Sequence, residues 1–444
     1  MLVTEANARV PYTDLGPALV VPPPGPTSRT WLIRHAHVAA PMGPTPQPGP
    51  PGGIVYATGK GSNVSDVDGN RYVDLAGGFG ALLLGHGHPA VQRVLGLQAE
   101  RLLQALGDLY PADAKVALLE RLARLYPRPN AKVILGQSGS DAVSAALKTA
   151  KLATGKPGVV AFSGAYHGLG YGPLAACGLR EGYRAPFASE LSPHVRFAPY
   201  PGDASSAERS LETCRAELER GDVGAVLIEP ILGRGGVVPA PAGFLTTLQR
   251  LTQDAGALLI ADEIWTGLGR AGSWLSSLAE GALPDLICLG KGLGGGLPVS
   301  AVIGSEIAML SWRREPEVVH TATFAGAPLA ASTAIATLDV LGKEQLPERA
   351  ATLGERYLDA LRSALCRLPG VREVRGRGLM LAVDLGDRPG SASQLMRALL
   401  GQGYIVSTGG GKREVLVLTP ALNIAEDVLF GSVDVIAAQV SKLS

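Results

Sequence analysis

The chain has 444 residues, 46% of them hydrophobic and 18% charged, with a formal net charge of +1. That length suffices for a large core and two lobes, and so balanced a charge offers no field to recruit nucleic acid or an acidic membrane. No apolar run is long enough to span a bilayer, MLVTEANARV lacks a charged-then-apolar leader, and Cys177, Cys214, Cys288 and Cys366 form no Cys-x-x-Cys pair, so a soluble enzyme of a reducing cytoplasm is expected.

Residues 1 to about 55 are rich in proline and glycine, including Pro22-Pro23-Pro24 and the run from Pro41 to Gly53. Such a stretch builds no core; it reads as an extended arm on a partner surface, or as a disordered tail over its first part, with one short helical piece at 28–37. From Asn63, NVSDVDGNRYVDLAGG alternates about Asp68-Gly69 and predicts a β-hairpin. Gly85-His86-Gly87-His88-Pro89 follows, and its two histidines lack a third ligand nearby, so a turn is expected rather than a metal site.

A helical pattern through Val91, Val94, Leu95 and Leu102 leads into strands at 132–135, 159–162, 195–198 and 225–228, with helices at 141–153, 207–219 and 243–254 between them. Repeated βα units predict a mostly parallel sheet sandwiched by helices. Beyond residue 330 come helical stretches at 330–341 and 347–368, GLMLAVDLG, a helix at 391–400, strands at 404–407 and 415–418, and a last helix from Ala425. The expected division is an arm and hairpin (1–85), a large domain (86–330), and a C-terminal part (331–444) that joins the hairpin in a smaller α+β domain.

The stretch from Ala257 to Lys291 organises the rest. It reads as two short buried strands, one ending in Asp262-Glu263 and the next in Gly290-Lys291. A carboxylate and an amine at neighbouring strand ends lie beside the crevice where open α/β sheets bind ligands. That pairing suits pyridoxal phosphate chemistry: the amine forms a Schiff base with the aldehyde, and the carboxylate keeps the pyridine nitrogen protonated. Taken alone, such residues also serve as an N-cap and a solvated loop charge. Gly139 and Ser140 precede a helix whose N-terminus suits a phosphate, although Ser140 serves equally as an N-cap. Tyr166 and His167, in GAYHG, stand at a strand end where a tyrosine stacks on a flat ring or simply fills core.

In this order the motifs NVSDVDGNRYVDLAGG, GHGHP, SGSDAVSAALKTAK, GAYHG, IEPILGRGGVVPAPAGF, ADEIWTGLGRAG, GKGLGGGLPVSAVIG and HTATFAGAPLA resemble the class III aminotransferases, pyridoxal-phosphate enzymes of fold type I. The resemblance implies that Lys291 holds the cofactor and moves the proton, Asp262 pairs with the pyridine nitrogen, and Ile264 and Tyr166 flank the ring, beside His167. Gly139 and Ser140 would hold the phosphate, and Thr323 would reach the phosphate of a neighbouring subunit in a homodimer with shared sites. It further implies amine or amino-acid donors and oxo-acid or aldehyde acceptors; racemases, epimerases and an aminomutase share the scaffold and form the alternative. A binding protein that has lost its chemistry is disfavoured by the retention of Lys291, Asp262 and Tyr166. GKGLGGG lacks the serine or threonine of a P-loop, so nucleotide binding is not expected.

The departures bear on the substrate. Many relatives pair a glutamate of an EPxxxEGG motif with an arginine near the C-terminus. Here these positions are Arg234 and Val417, so the pair is absent and Arg234 is expected either to meet a substrate acid or to point to solvent. Trp265 replaces a glutamine, Phe79 falls where an aromatic lines the substrate side, Asp141 replaces a glutamate, Ala327 an asparagine, and Glu229 is expected to support the substrate pocket.

Overall fold

The computed structural model describes residues 14–41, 53–313, 318–386 and 388–443. The first thirteen residues and most of the Pro/Gly-rich run, for which an arm or tail was expected, lie outside them. Seven strands form the central sheet in the order Lys132–Gly136, Ser300–Gly304, Leu286–Leu289, Leu258–Asp262, Val223–Ile228, Gly158–Phe162 and Val195–Ala198. Only Ser300–Gly304 runs against its neighbours; the other six are parallel to one another.

The strands read as unbroken apolar runs because both faces of the sheet are covered. Ala225, Leu227, Ile260, Cys288 and Val302 face one core, with Ala142, Val143 and Ala146 of the Gly139–Thr154 helix. Val226, Ile228 and Leu259 face another, with Leu218 of Ala204–Glu219 and Leu245 and Leu248 of Phe244–Asp254. Ile287, Leu289, Ala301 and Ile303 join the largest core, which also takes in the helices Asp113–Ala123, Pro328–Lys343 and Leu346–Leu365. Several elements had no counterpart in the sequence reading, among them Tyr56–Lys60, Asp113–Ala123, Ser300–Gly304 and Glu373–Arg377.

The hairpin forms as expected, Asn63–Asp66 pairing antiparallel with Arg71–Asp74 around Gly69, whose φ is 89°. Tyr404–Ile405 pairs parallel with Arg71–Asp74, so the two ends of the chain share one sheet. A second four-stranded sheet, Glu373–Arg377, Met380–Asp384, Val415–Leu418 and Ser407–Gly409, is antiparallel throughout. Arg270 ties it to the loop after Asp262: fully buried, it donates from Nη1 to the carbonyls of Leu379 and Pro420. Burial without a carboxylate partner pulls its pKa down to about 9. In the expected turn, His86 Nε2 lies 2.8 Å from Asp74 Oδ2, and His88 Nδ1 accepts the Ala90 N–H at the start of Pro89–Arg101.

Candidate active site

Parallel strands end on one edge, so Gly136, Phe162, Ile228, Asp262 and Leu289 deliver their following residues to one place. A cavity of about 250 Å³ opens there, lined by Gly139, Ser140, Tyr166, His167, Gly168, Leu169, Glu229, Arg234, Asp262, Ile264, Trp265 and Lys291. Ten of the twelve predicted site residues are among these; Phe79 and Thr323 are not.

Asp262 is 4% exposed and accepts on both carboxylate oxygens, from the Ile264 N–H at 3.1 Å and opposite His167 Nδ1 at 2.7 Å. The far nitrogen of that imidazole, His167 Nε2, is buried with no partner among the described residues. Next in sequence, Glu263 is turned away from the cavity. It accepts from Thr266 Oγ1, from the Ser276 and Ser277 N–H groups and from Ser277 Oγ, which fixes the loop that carries Ile264 and Trp265.

Lys291 follows Gly290 with φ at 42°, a left-handed conformation that turns its side chain from the strand into the cavity. Its amine stands 4.2 Å from the centroid of Trp265 and makes no ion pair or hydrogen bond among the described residues. Burial lowers its pKa to about 8, against the raising effect of Asp262 and Glu229. A sizeable neutral fraction at pH 7 to 8 follows, and the neutral amine is the nucleophile.

Room for the Trp265 indole is made by two glycines. A Cβ at Gly80 would fall 2.2 Å from its Nε1, and one at Gly233 would fall 2.4 Å from its Cε3. Trp265 is 8% exposed and packs with Ile231, Val237, Met380, Val415 and Val417, so the position where relatives carry an arginine is a fully buried part of an apolar cluster.

Glu229 joins two loops. Its Oε1 accepts the Tyr166 N–H and its Oε2 the Gly233 N–H, both at 2.8 Å. With both oxygens so engaged, its part in the pocket is support from behind, and burial raises its pKa. The loops it joins bring the Arg234 guanidinium over the Tyr166 ring, 4.8 Å from the centroid. Arg234 makes no side-chain hydrogen bond or ion pair among the described residues, leaving a half-buried cation in the cavity wall.

The N-cap of the Gly139–Thr154 helix is Ser138, whose Oγ accepts from Asp141 N, so Ser140 is released from that duty. Neither Gly139 nor Ser140 donates its backbone N–H within the described residues, and Ser140 Oγ accepts from the Gly170 N–H. Gly168, at φ 105°, leaves no room for a Cβ, which would meet Ser140 Cβ at 2.7 Å. Gly139 faces Ile264 with little more room: a Cβ there would fall 2.9 Å from Ile264 Cδ1. Two free N–H donors at a helix N-terminus, a buried unpartnered imidazole nitrogen and an amine without an acid partner fit a flat, anionic, aldehyde-bearing group.

Thr323 is exposed, its carbonyl accepting from Gln104 Nε2 at 2.7 Å. Phe79 is 65% exposed, at φ 58° in a left-handed turn that runs from Gly77 to Gly80. Sequence reasoning missed the lining residues Gly168 and Leu169, and the dependence of Trp265 on Gly80 and Gly233. The last glycine of GAYHG and the glycine before Arg234 are the traces these features leave in the sequence.

Comparison with known proteins agrees with this geometry. The family described as aminotransferase class-III matches residues 46–439. The acetylornithine aminotransferase of Methanothermobacter thermautotrophicus is 33% identical over 390 residues, covering 88% of this chain and 94% of that one. The diaminobutyrate–2-oxoglutarate aminotransferase of Rhizobium meliloti is 36% identical over 411 residues, 84% and 85% of the two chains. Among solved structures, the ornithine aminotransferase of Toxoplasma gondii superposes with a TM-score of 0.82 at 27% identity, covering 94% of this chain and 95% of that one. A PLP-bound amine transaminase from an uncultivated Pseudomonas species gives 0.83 at 27% identity, covering 90% and 98%.

Proposed function

Because the chain belongs to the class III aminotransferases and is a pyridoxal-phosphate-dependent enzyme of fold type I, we propose the following roles for its residues in moving an amino group from an amine or amino-acid donor to an oxo acid or aldehyde. The observation that carries this reading is the pairing of Lys291 and Asp262 at adjacent strand ends above a helix N-terminus with free donors.

When bound, pyridoxal phosphate supplies an aldehyde that takes up the amino group and a ring that draws electrons from the substrate carbon. The Gly139 and Ser140 N–H groups and the Ser140 hydroxyl would hold its phosphate. Asp262, kept oriented by His167 and the Ile264 N–H, holds a proton at the ring nitrogen. Ile264 and Tyr166 would hold the ring, and Lys291 would carry the cofactor at its amine. The Lys291 amine would also serve as the base that takes a proton from the substrate carbon. Trp265 walls the pocket beside Lys291, Glu229 holds Tyr166 and Gly233 in place, and Arg234 receives a substrate carboxylate.

The working unit is a homodimer. Leu103, Leu106, Leu109, Tyr110 and Phe324 are all at least 58% exposed, more apolar surface than a lone soluble chain normally leaves bare. Thr323 is tied by Gln104 to this region, from where it would reach the cofactor phosphate of the partner, while Phe79 lines the substrate side. The arm and hairpin join residues 331–444 in a smaller domain, which the shared Arg71–Asp74 and Tyr404–Ile405 pairing supports. Among the described residues no helix is long and apolar enough to cross a membrane, which accords with a cytoplasmic enzyme.

The test is a half-reaction: holoenzyme with a panel of amines and amino acids and no carbonyl acceptor. Release of the donor's carbonyl product, with conversion of the cofactor to its amine form, is expected. Exchange of the α-proton and appearance of the enantiomer, without carbonyl release, would instead mark a racemase or epimerase.

A further inference from the structure

We infer that this pocket selects substrates bearing one carboxylate and an uncharged remainder, and that Trp265 is the residue that sets the preference; this deepens the aminotransferase reading and rests on it. Two basic side chains, Lys291 and Arg234, line the cavity beside His167. Lys291 is committed to the cofactor and the proton. His167 faces Asp262 through Nδ1. That leaves Arg234, free of any protein carboxylate among the described residues, as the receptor for one acid group.

A second acid group would meet the indole. Its face already carries the Lys291 amine, and the cluster containing Val237, Met380 and Val417 packs with it. The one donor on the indole, Nε1, is buried without a partner and lies so close to Gly80 that a Cβ there would fall 2.2 Å away. Of the other ionisable groups lining the cavity, Asp262 and Glu229 are acids that offer a carboxylate no donor, and Arg234 is taken by the first acid group. A carboxylate against this wall therefore gives up water and gains no donor, whereas a methyl or methylene chain loses nothing and buries apolar surface. Discrimination of this kind works by refusing the wrong group as much as by attracting the right one.

The wall is also rigid. Gly80 and Gly233 confine two edges of the indole, and Glu263 anchors the loop that bears it through four hydrogen bonds. Rearrangement of Trp265 to admit a second carboxylate would have to displace backbone at both glycines.

The test titrates holoenzyme with two unreactive five-carbon acids, pentanoate with one carboxylate and glutarate with two, following heat of binding and tryptophan fluorescence. Pentanoate is expected to bind about tenfold more tightly or better, in line with what one misplaced polar group does in an apolar site. Trp265→Gln is expected to narrow the gap to about threefold or less, while Trp265→Phe, which keeps the wall apolar, preserves it. Glutarate binding as tightly as pentanoate in the wild type, or an unchanged gap in Trp265→Gln with Trp265→Phe folded and cofactor-loaded, would overturn the inference. A holoenzyme that shows the pentanoate preference yet moves no amino group from any donor would sink the aminotransferase reading and leave the single-acid pocket standing.

Discussion

Replacing Arg234 by alanine should separate acid-bearing substrates from uncharged ones. The guanidinium is half-buried, stands 4.8 Å from the Tyr166 ring centroid and has no carboxylate partner among the described residues, so the substitution orphans no buried acid there. The loss is then that of the substrate contact itself. A hydrogen bond between charged groups contributes about 1.5–3 kcal/mol, which corresponds to about a 10- to 150-fold fall in kcat/KM for donors carrying a carboxylate. Loss of the stacking on Tyr166 adds about 0.5–1 kcal/mol at most and acts on every substrate alike. Single-turnover rates with matched donors, an ω-amino acid and the amine of equal chain length, measure the difference directly. The amine should change by no more than about threefold, and Arg234→Lys should recover part of the acid's loss, because lysine restores the charge without the planar fork. If Arg234→Ala leaves the apparent affinity for every acidic substrate unchanged, the assignment is wrong and the side chain serves only solvent and Tyr166.

Glu229→Gln turns an NH2 group toward either the Tyr166 or the Gly233 N–H, leaving one buried donor unpaired at about 1–3 kcal/mol, and should raise KM for acidic donors far more than it alters cofactor affinity. Gly80→Ala adds a Cβ 2.2 Å from Trp265 Nε1 at a φ of 79°, so a destabilisation of about 2–4 kcal/mol is expected by denaturant titration; a neutral result would mean that the indole has room to move. Since burial lowers the Lys291 pKa to about 8, the reactive neutral amine grows about tenfold per pH unit below that value and levels off above it. Cofactor uptake by stripped protein should follow that curve, and a rate flat from pH 6 to 9 would contradict it.

Much of this was legible in the sequence because it is written in strand ends. An apolar run that stops at Asp262 and another that stops at Gly290-Lys291 oblige two ionisable groups to emerge side by side once the strands are parallel neighbours, as Asp262 opposite Cys288 shows. Elements went unread where the pattern is weak. Tyr56–Lys60 is an edge strand with mostly exposed side chains, and Ser300–Gly304 is a five-residue buried run hidden behind a glycine-rich loop that gives it no period. Antiparallel entry of that last strand is invisible to local patterning. Glu229 was expected to support the pocket, but only the fold reveals that it would do so with both oxygens accepting backbone N–H groups. The dependence of Trp265 on Gly80 and Gly233 joins residues far apart in sequence, and no spacing rule predicts such a contact. Phe79 and Thr323 stand exposed outside the cavity lining, which no local pattern signals.

Everything proposed for the mechanism turns on Lys291 being the residue that carries the cofactor. Reduction of the purified holoenzyme with borohydride, followed by digestion and mass spectrometry, reads that attachment at single-residue resolution. A pyridoxyl group on the peptide containing Lys291, lost in Lys291→Ala, is the expected result. A pyridoxyl group on any other lysine of an active enzyme, or transamination that survives Lys291→Ala at the wild-type rate, would contradict it.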